Sequence, residues 1–520
     1  MVQMTTGHIL VIDSGGSNLR SIVFDTSGKI IGRARKATPP LTPVPGAVEH
    51  DPETLWTALL KTSKSAIQDA KITWKEIATI GICNQRASFL LWEEATGKAV
   101  TNLIGWADVR AADACDEMNA LGKWKRLKIF AKIASKISRS TMLKAAAMMD
   151  FTTDHATVRL RWLLNENPEI RRRCNAGELK FGTLDSWFIH KITRGKVHAT
   201  DYSNAGATGL FNPFKLEWNK TFLDMFDFHQ SLFPEVRDTN GFFGRSDGEL
   251  FDGQEIPIHG IAGDQQAALF GHQCIEPGDV KISQGSGAFV DMTVGPEPKL
   301  SKRGLFPLIA WRLNGTVTYM LEGYVATAGT LIDWLGQGIG LSDTPRVLNE
   351  LASQASTTEG VIFVPTNSGI RYPYFNPNAR GCIFGLSLST HRRHVARAVL
   401  EGIALSLHEV LEGMEQDTGV EIRSLKVDGG VSKSDILLQA LADISRKSVN
   451  RAPEPDMTAT GVAYLAGLGA GIWESLEDLE ALGGHYMSFE PIMEESKRDR
   501  KLKQWKKGIE AVLSMYAIKN

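Results

Sequence analysis

Short apolar runs broken by glycine-rich turns open the chain, and longer stretches with apolar residues three and four apart follow them. This pattern predicts a mixed α/β protein. Strands are expected over His8 to Ile12, Leu19 to Asp25 and Lys29 to Lys36, with turns at Asp13-Ser14-Gly15-Gly16-Ser17-Asn18 and Thr26-Ser27-Gly28. A loop with four prolines covers residues 37–50. Asp51-Pro52 then starts a helix from Glu53 to Ala70, because an acid at the cap and proline in the first turn satisfy a helix start. Strands at Ala78 to Cys83 and Ala87 to Trp92 precede a helix from Ala107 to Ala120. Further helices fit Thr157 to Leu164, Leu184 to Lys191 and Asn219 to Phe228.

Near residue 255 the pattern restarts. Ile256 to Ala262 reads as a strand and Asp264 to Phe270 as a helix. Val280 to Gln284 and Ala288 to Val294 read as strands around Gly285-Ser286-Gly287. Later strands fit Val317 to Glu322, Val361 to Val364, Cys382 to Leu386 and Leu425 to Asp428. Helices fit Arg393 to Gln416, Ser434 to Arg446, Thr458 to Ala470 and Lys501 to Tyr516. The segment from Ile9 and the segment from Val280 share one plan, strand, Gly/Ser turn, strand. Two similar α/β halves are therefore expected, residues 1–254 and 255–520, with a ligand cleft between them.

Residues 122–149 break the pattern with eight Lys or Arg and no acid. Ile129, Ile133 and Ile137 recur every four residues beside Lys128, Lys132 and Lys136. Such a helix can lie on an anionic membrane or contact a partner. A solvated helix packed on its own domain is the expectation here.

With 520 residues, 43% hydrophobic and 22% charged, the chain suits ordinary globular domains. A formal net charge of -1 gives no global field for nucleic acid. Five scattered cysteines, an N-terminus without a signal pattern and no long apolar run point to a reducing cytoplasmic compartment without a transmembrane segment. Asn219-Lys220-Thr221 is then a chance glycosylation match. Gly244-Arg245-Ser246-Asp247-Gly248 has the letters of a hydrolase elbow without its strand and helix.

The candidate chemistry centres on Gly263-Asp264. A carboxylate at the mouth of a strand and the start of a helix sits where α/β sheets bind ligands, and it can take a proton from a hydroxyl. Taken alone, Asp264 would only cap its helix. The two Gly/Ser turns present bare N–H groups suited to phosphate oxygens. Neither turn is a Walker loop or a dinucleotide fingerprint. Asp13 can hold Mg²⁺ through waters, and Arg20 can reach a phosphate. In isolation Asp13 would cap its turn and Arg20 would be a surface residue. Asp428-Gly429-Gly430 and Gly329 allow close approach of a ligand. Together these features suggest phosphoryl transfer.

Asn84-Gln85-Arg86, Phe181-Gly182-Thr183, Thr200-Asp201-Tyr202-Ser203-Asn204-Ala205, the stretch Gly263 to Gly271 and Asp428-Gly429-Gly430 resemble the FGGY carbohydrate kinases, and within them the glycerol kinase branch. Gly381 to Leu386 with His394-Val395 and Ala398 to Glu401 fits the second family signature, while Arg159-Leu160-Arg161-Trp162 fits the first in part. The resemblance implies two actin-like, ribonuclease H-like domains, each a mixed sheet flanked by helices. It implies ATP and Mg²⁺ as cofactors, a small polyol or sugar as substrate, and a homo-dimer or tetramer. Asp264 would be the catalytic base and, with Asp13, a metal-side acid. Arg86, Trp106, Gln265 and Phe289 would contact the acceptor. Ser14, Gly16, Ser17 and Arg20 would grip phosphate, and Gly285, Ser286, Gly329, Asp333, Gly430 and Ser434 would contact the nucleotide.

The resemblance has gaps. Ala87 stands where the glycerol kinases carry an acid, Asp154 near a pocket tyrosine, Asp333 for a glutamine and Ser434 for an asparagine. The implied reaction is ATP-dependent phosphorylation of a primary hydroxyl, with glycerol as first acceptor and glycerol 3-phosphate as product. Xylulose, ribulose or erythritol is the alternative acceptor. A degraded actin-like nucleotide-binding protein is the third reading.

Overall fold

A computed structural model describes residues 7–341, 344–453 and 456–517. The chain forms two compact units. The first holds residues 1–273, 308–318 and 458–483, and the second holds 274–307, 319–457 and 484–520.

The first unit is built on a six-stranded sheet ordered Phe242–Arg245, Pro257–Gly263, Ile77–Asn84, His8–Ser14, Asn18–Phe24 and Ile30–Ala37. His8–Ser14 and Asn18–Phe24 form an antiparallel hairpin, while His8–Ser14, Ile77–Asn84 and Pro257–Gly263 run parallel. The parallel strands are apolar nearly throughout, as strands covered on both faces must be. Helix Pro52–Asp69 starts at Asp51, whose carboxylate accepts from Thr54 N, as its Asp-Pro start predicted. It packs so closely that a Cβ at Gly32 would lie 2.4 Å from Ala66 O. A second, four-stranded sheet orders Glu49–His50, Leu103–Ile104, Phe89–Glu93 and Leu179–Thr183. Its core joins Phe89, Leu91, Trp124, Phe151 and Phe181.

The second unit repeats the plan. In a seven-stranded sheet, Asp279–Gln284 and Ala288–Gly295 form a hairpin, and Ser424–Asp428 runs parallel to Asp279–Gln284. Lys281 and Asp291 face each other across the hairpin and form a wholly buried ion pair at 2.6 Å. The long helix Arg392–Thr418 packs on helix Asp435–Ser445. Both units thus carry the strand, Gly/Ser turn, strand arrangement seen in the sequence.

The structure departs from the sequence pattern in several places. The restart near residue 255 closes the first unit, because Pro257–Gly263 pairs with Ile77–Asn84. The helix expected from Ala107 begins at Ala112. The intervening loop is held by the buried Asp108 carboxylate, which accepts from Val48 N at 3.0 Å and Arg110 N at 3.0 Å. Helices Pro168–Asn175, Gly329–Gln337 and Pro345–Ser353 were not read from the pattern.

Candidate active site

The carboxyl ends of three parallel strands in the first unit meet in register. Asp13 is opposite Cys83, and Cys83 is opposite Ala262. Ser14 is opposite Asn84, and Asn84 is opposite Gly263. Strands stand about 4.8 Å apart, so Asp13 and Asp264 flank the central strand end. Burial, followed by the nearby Asp13 carboxylate and more weakly by Asp264, pushes the Cys83 thiol well above its usual range.

Asp13 is buried and forms an ion pair with Arg20, its partner in the hairpin register. The bare-cap reading of Asp13 therefore does not describe its surroundings. Gly16 and Ser17 form an exposed turn. Gly16 O lies 2.9 Å from His50 Nε2, and Ser17 O accepts from Thr38 N at 2.9 Å. Ser14 is buried, and its carbonyl accepts from Gln85 N at 2.9 Å.

Asp264 is the first residue of helix Asp264–Gly271, with Gly263 at the N-cap. Its Oδ1 accepts from Gln265 N at 2.9 Å and lies 3.5 Å from Arg86 Nε. A carboxylate at a helix start is favoured by the helix dipole. The absent side chain of Gly263 makes room for Arg86, since a Cβ there would lie 2.5 Å from Arg86 Cγ. Behind this pair stands a network that the sequence did not disclose. Gly263 N donates to Ser203 Oγ at 2.9 Å, Ser203 Oγ donates to Asp201 Oδ1 at 2.9 Å, and Thr239 Oγ1 donates to Asp201 Oδ2 at 3.0 Å. Asn204 donates to Asp201 Oδ1 and receives from Asn84 Nδ2, each at 3.0 Å. Burial raises the Asp201 carboxyl above its ordinary value, opposed by these hydrogen bonds. The sequence signal for this network is the motif Thr200 to Ala205.

Arg159 was also missed as a functional residue. It is wholly buried, and its guanidinium donates to five carbonyl oxygens, those of Thr153, Ile104, Gly105, Ala87 and Asp154. Burial lowers its pKa to about 10, which leaves it charged at neutral pH. It fastens together the loops bearing Ala87, Trp106 and Asp154. Trp106 is exposed, and its backbone N–H donates to Ser88 Oγ at 3.1 Å. Asp154 is exposed.

In the second unit, the turn Gly285-Ser286-Gly287 meets the start of helix Gly329–Gln337. Gly329 N donates to Gly285 O at 2.9 Å, and Thr330 N to Ser286 O at 3.1 Å. A Cβ at Gly329 would lie 2.6 Å from Gly285 O. Gly429, at φ 92°, lies against Gln284, so Gly430 follows beside the same turn. Gly430 and Asp333 are exposed. Ser434 is buried, accepts from Leu437 N at 3.2 Å and donates to Asn349 Oδ1. Phe289 stacks on Tyr324 with centroids 4.6 Å apart.

Among the described residues, no three His, Cys, Asp or Glu side chains gather as a metal site. Two carboxylates across one strand fit a hydrated Mg²⁺, which keeps several waters and uses few protein ligands. Among the described residues, no helix is long and apolar enough to cross a membrane.

Residues 8–271 match the N-terminal domain of the FGGY family of carbohydrate kinases, and residues 280–470 match its C-terminal domain. The glycerol kinase of Caldanaerobacter subterraneus subsp. tengcongensis is 40% identical over 506 residues, covering 97% of this chain and 98% of its own. Glycerol kinase 2 of Thermotoga maritima is 38% identical, with 96% and 98% covered. The crystal structure of Plasmodium falciparum glycerol kinase with ADP superposes with a TM-score of 0.89 at 30% identity, covering 98% of each chain. A ligand-bound xylulose kinase from Lactobacillus acidophilus shares the fold, with a TM-score of 0.84 at 21% identity and coverage of 98% and 99%.

Proposed function

Because this chain belongs to the FGGY family of carbohydrate kinases, with the mixed α/β, actin-like fold of that family, we propose that it transfers the γ-phosphate of ATP to a primary hydroxyl of glycerol. The observation that carries this reading is the meeting of Asp264, Arg86 and Gln265 with the Asp13–Arg20 pair at one sheet end.

Asp264 accepts the hydroxyl proton as the acceptor oxygen attacks the γ-phosphorus, and the bond from that phosphorus to the bridging oxygen breaks to release ADP. Arg86 and Gln265 hold the acceptor, with Trp106 at its edge. Arg20 offsets charge developing on the phosphoryl oxygens, and the Gly16-Ser17 turn supplies further donors. Asp13 and Asp264 would hold Mg²⁺, which would supply charge neutralisation on the phosphates. Ser14 stands behind the phosphate turn. Gly285, Ser286, Gly329, Asp333, Gly430 and Ser434 carry the nucleotide. Five free cysteines, four of them buried, support a reducing cytoplasmic setting. The family resemblance supports a homo-dimer or tetramer.

Ala87 favours a second reading, in which another polyol or a ketose is the acceptor, because it puts a methyl group where the glycerol kinases carry an acid. Acceptor-dependent ADP release with glycerol, dihydroxyacetone, erythritol, ribitol, xylulose and ribulose separates the two. Glycerol giving the highest kcat/KM supports the first reading. A ketose or longer polyol exceeding it replaces glycerol as the acceptor.

A further inference from the structure

Helix Gly122–Ser138 packs on its own unit, but not through its isoleucine row. Its buried residues are Trp124, Ala131 and Ser135. At 100° per residue, Ile129, Ile133, Ile137 and Phe130 fall on the opposite side. They are 59%, 58%, 82% and 63% exposed. A solvated helix places its polar residues outward; this one presents an apolar row to solvent. Lys125, Lys132 and Lys136 run along one edge of the row, Arg126 lies within it, and all are exposed. Among the described residues, no carboxylate pairs with Lys125, Lys132 or Lys136, and the nearby Asp150 is taken by Lys128. The following helix, Thr141–Met148, buries no residue and exposes Met148.

We propose that this helix docks the protein flat on an anionic phospholipid surface, with Ile129, Phe130, Ile133 and Ile137 entering the acyl boundary and the lysines at the headgroups. An apolar stripe with a cationic rim is what an interfacial helix requires, and lysine stems reach from the acyl boundary to the phosphates. Charge selects this occupant over a second copy of the chain. A two-fold contact through this face would set the same cations against each other, and residues 122–149 supply eight bases and no acid. Nucleic acid would use the cations but would leave the apolar row in water.

The test is flotation of the full chain with vesicles of phosphatidylcholine alone and with about one third phosphatidylglycerol. Binding should favour the anionic vesicles by at least about tenfold and weaken as salt rises. Ile133→Glu with Ile137→Glu should reduce it by at least about tenfold. Lys132→Gln with Lys136→Gln should remove much of the anionic preference. All four positions are exposed, so the unfolding midpoint of each variant should stay near that of the parent. Absent binding, equal binding to neutral vesicles, or full binding by the isoleucine variant overturns the proposal. A self-associated parent that the isoleucine substitutions dissociate, without vesicle binding, also overturns it and makes the stripe a contact between copies.

Discussion

Arg159 donates to the carbonyl oxygen of Ala87 at 2.9 Å, and Ala87 holds a left-handed φ of 57°. One of the residues that depart from the glycerol kinase pattern is therefore held through its backbone carbonyl.

Arg159→Lys tests this clasp. Lysine has three donors for the five carbonyls that Arg159 reaches, and each unpaired buried carbonyl costs roughly 1–3 kcal/mol. We expect a stability loss of roughly 2–4 kcal/mol by denaturant unfolding. The acceptor KM should rise at least about tenfold with the ATP KM little changed. Equal changes in both constants would show that Arg159 supports the fold without positioning the acceptor loops.

Ala87→Glu should restore a charged acceptor for a polyol hydroxyl. Such a hydrogen bond contributes roughly 1.5–3 kcal/mol, or about one to two orders of magnitude. Steady-state kinetics should show the glycerol KM falling by that factor. An unchanged or raised KM would mean that position 87 does not face the acceptor.

Gly329→Ala would push a Cβ against Gly285 O, which lies 2.6 Å from where that atom would stand. The backbone there cannot turn aside as a side chain can. The ATP KM should rise by about tenfold, while the acceptor KM holds. A lowered acceptor affinity alone would contradict the nucleotide role of this turn.

Burial pushes the Asp185 carboxyl up to about 7, although Thr200 Oγ1 donates to it at 2.6 Å. Between its unfolded value near 4 and its folded value near 7, the folded state binds the extra proton, so this group's contribution to stability falls as pH rises through that window. The cost is at most about 4 kcal/mol. Asp185→Asn, which cannot ionise, should gain on the parent as pH increases from about 5 to about 8. A stability difference between the two that stays flat with pH would refute the shift.

Much of this site was legible in the sequence, and the reason is local. Asp13 stands at the end of an apolar strand and Asp264 directly follows one, each beside glycine or serine, so their placement follows from strand length and turn chemistry alone. The paired Gly/Ser turns were likewise visible as repeats. Asp201 and Arg159 were not, because their partners lie far along the chain. Asp201 reaches Thr239 and, through Ser203, Gly263. Arg159 reaches back to Ala87 and Gly105. Periodicity cannot disclose such partners. The basic helix was visible as a helix, but which side it buries depends on Trp124, Ala131 and Ser135 meeting the rest of the unit.

The central claim is that Asp264 is the base of an acceptor-dependent kinase. Glycerol-dependent ADP release by the parent and by Asp264→Asn, with ATP binding measured on both by calorimetry, tests it most directly. The account predicts turnover reduced by at least about a hundredfold with ATP affinity nearly unchanged. Turnover in the Asn variant close to that of the parent would contradict it.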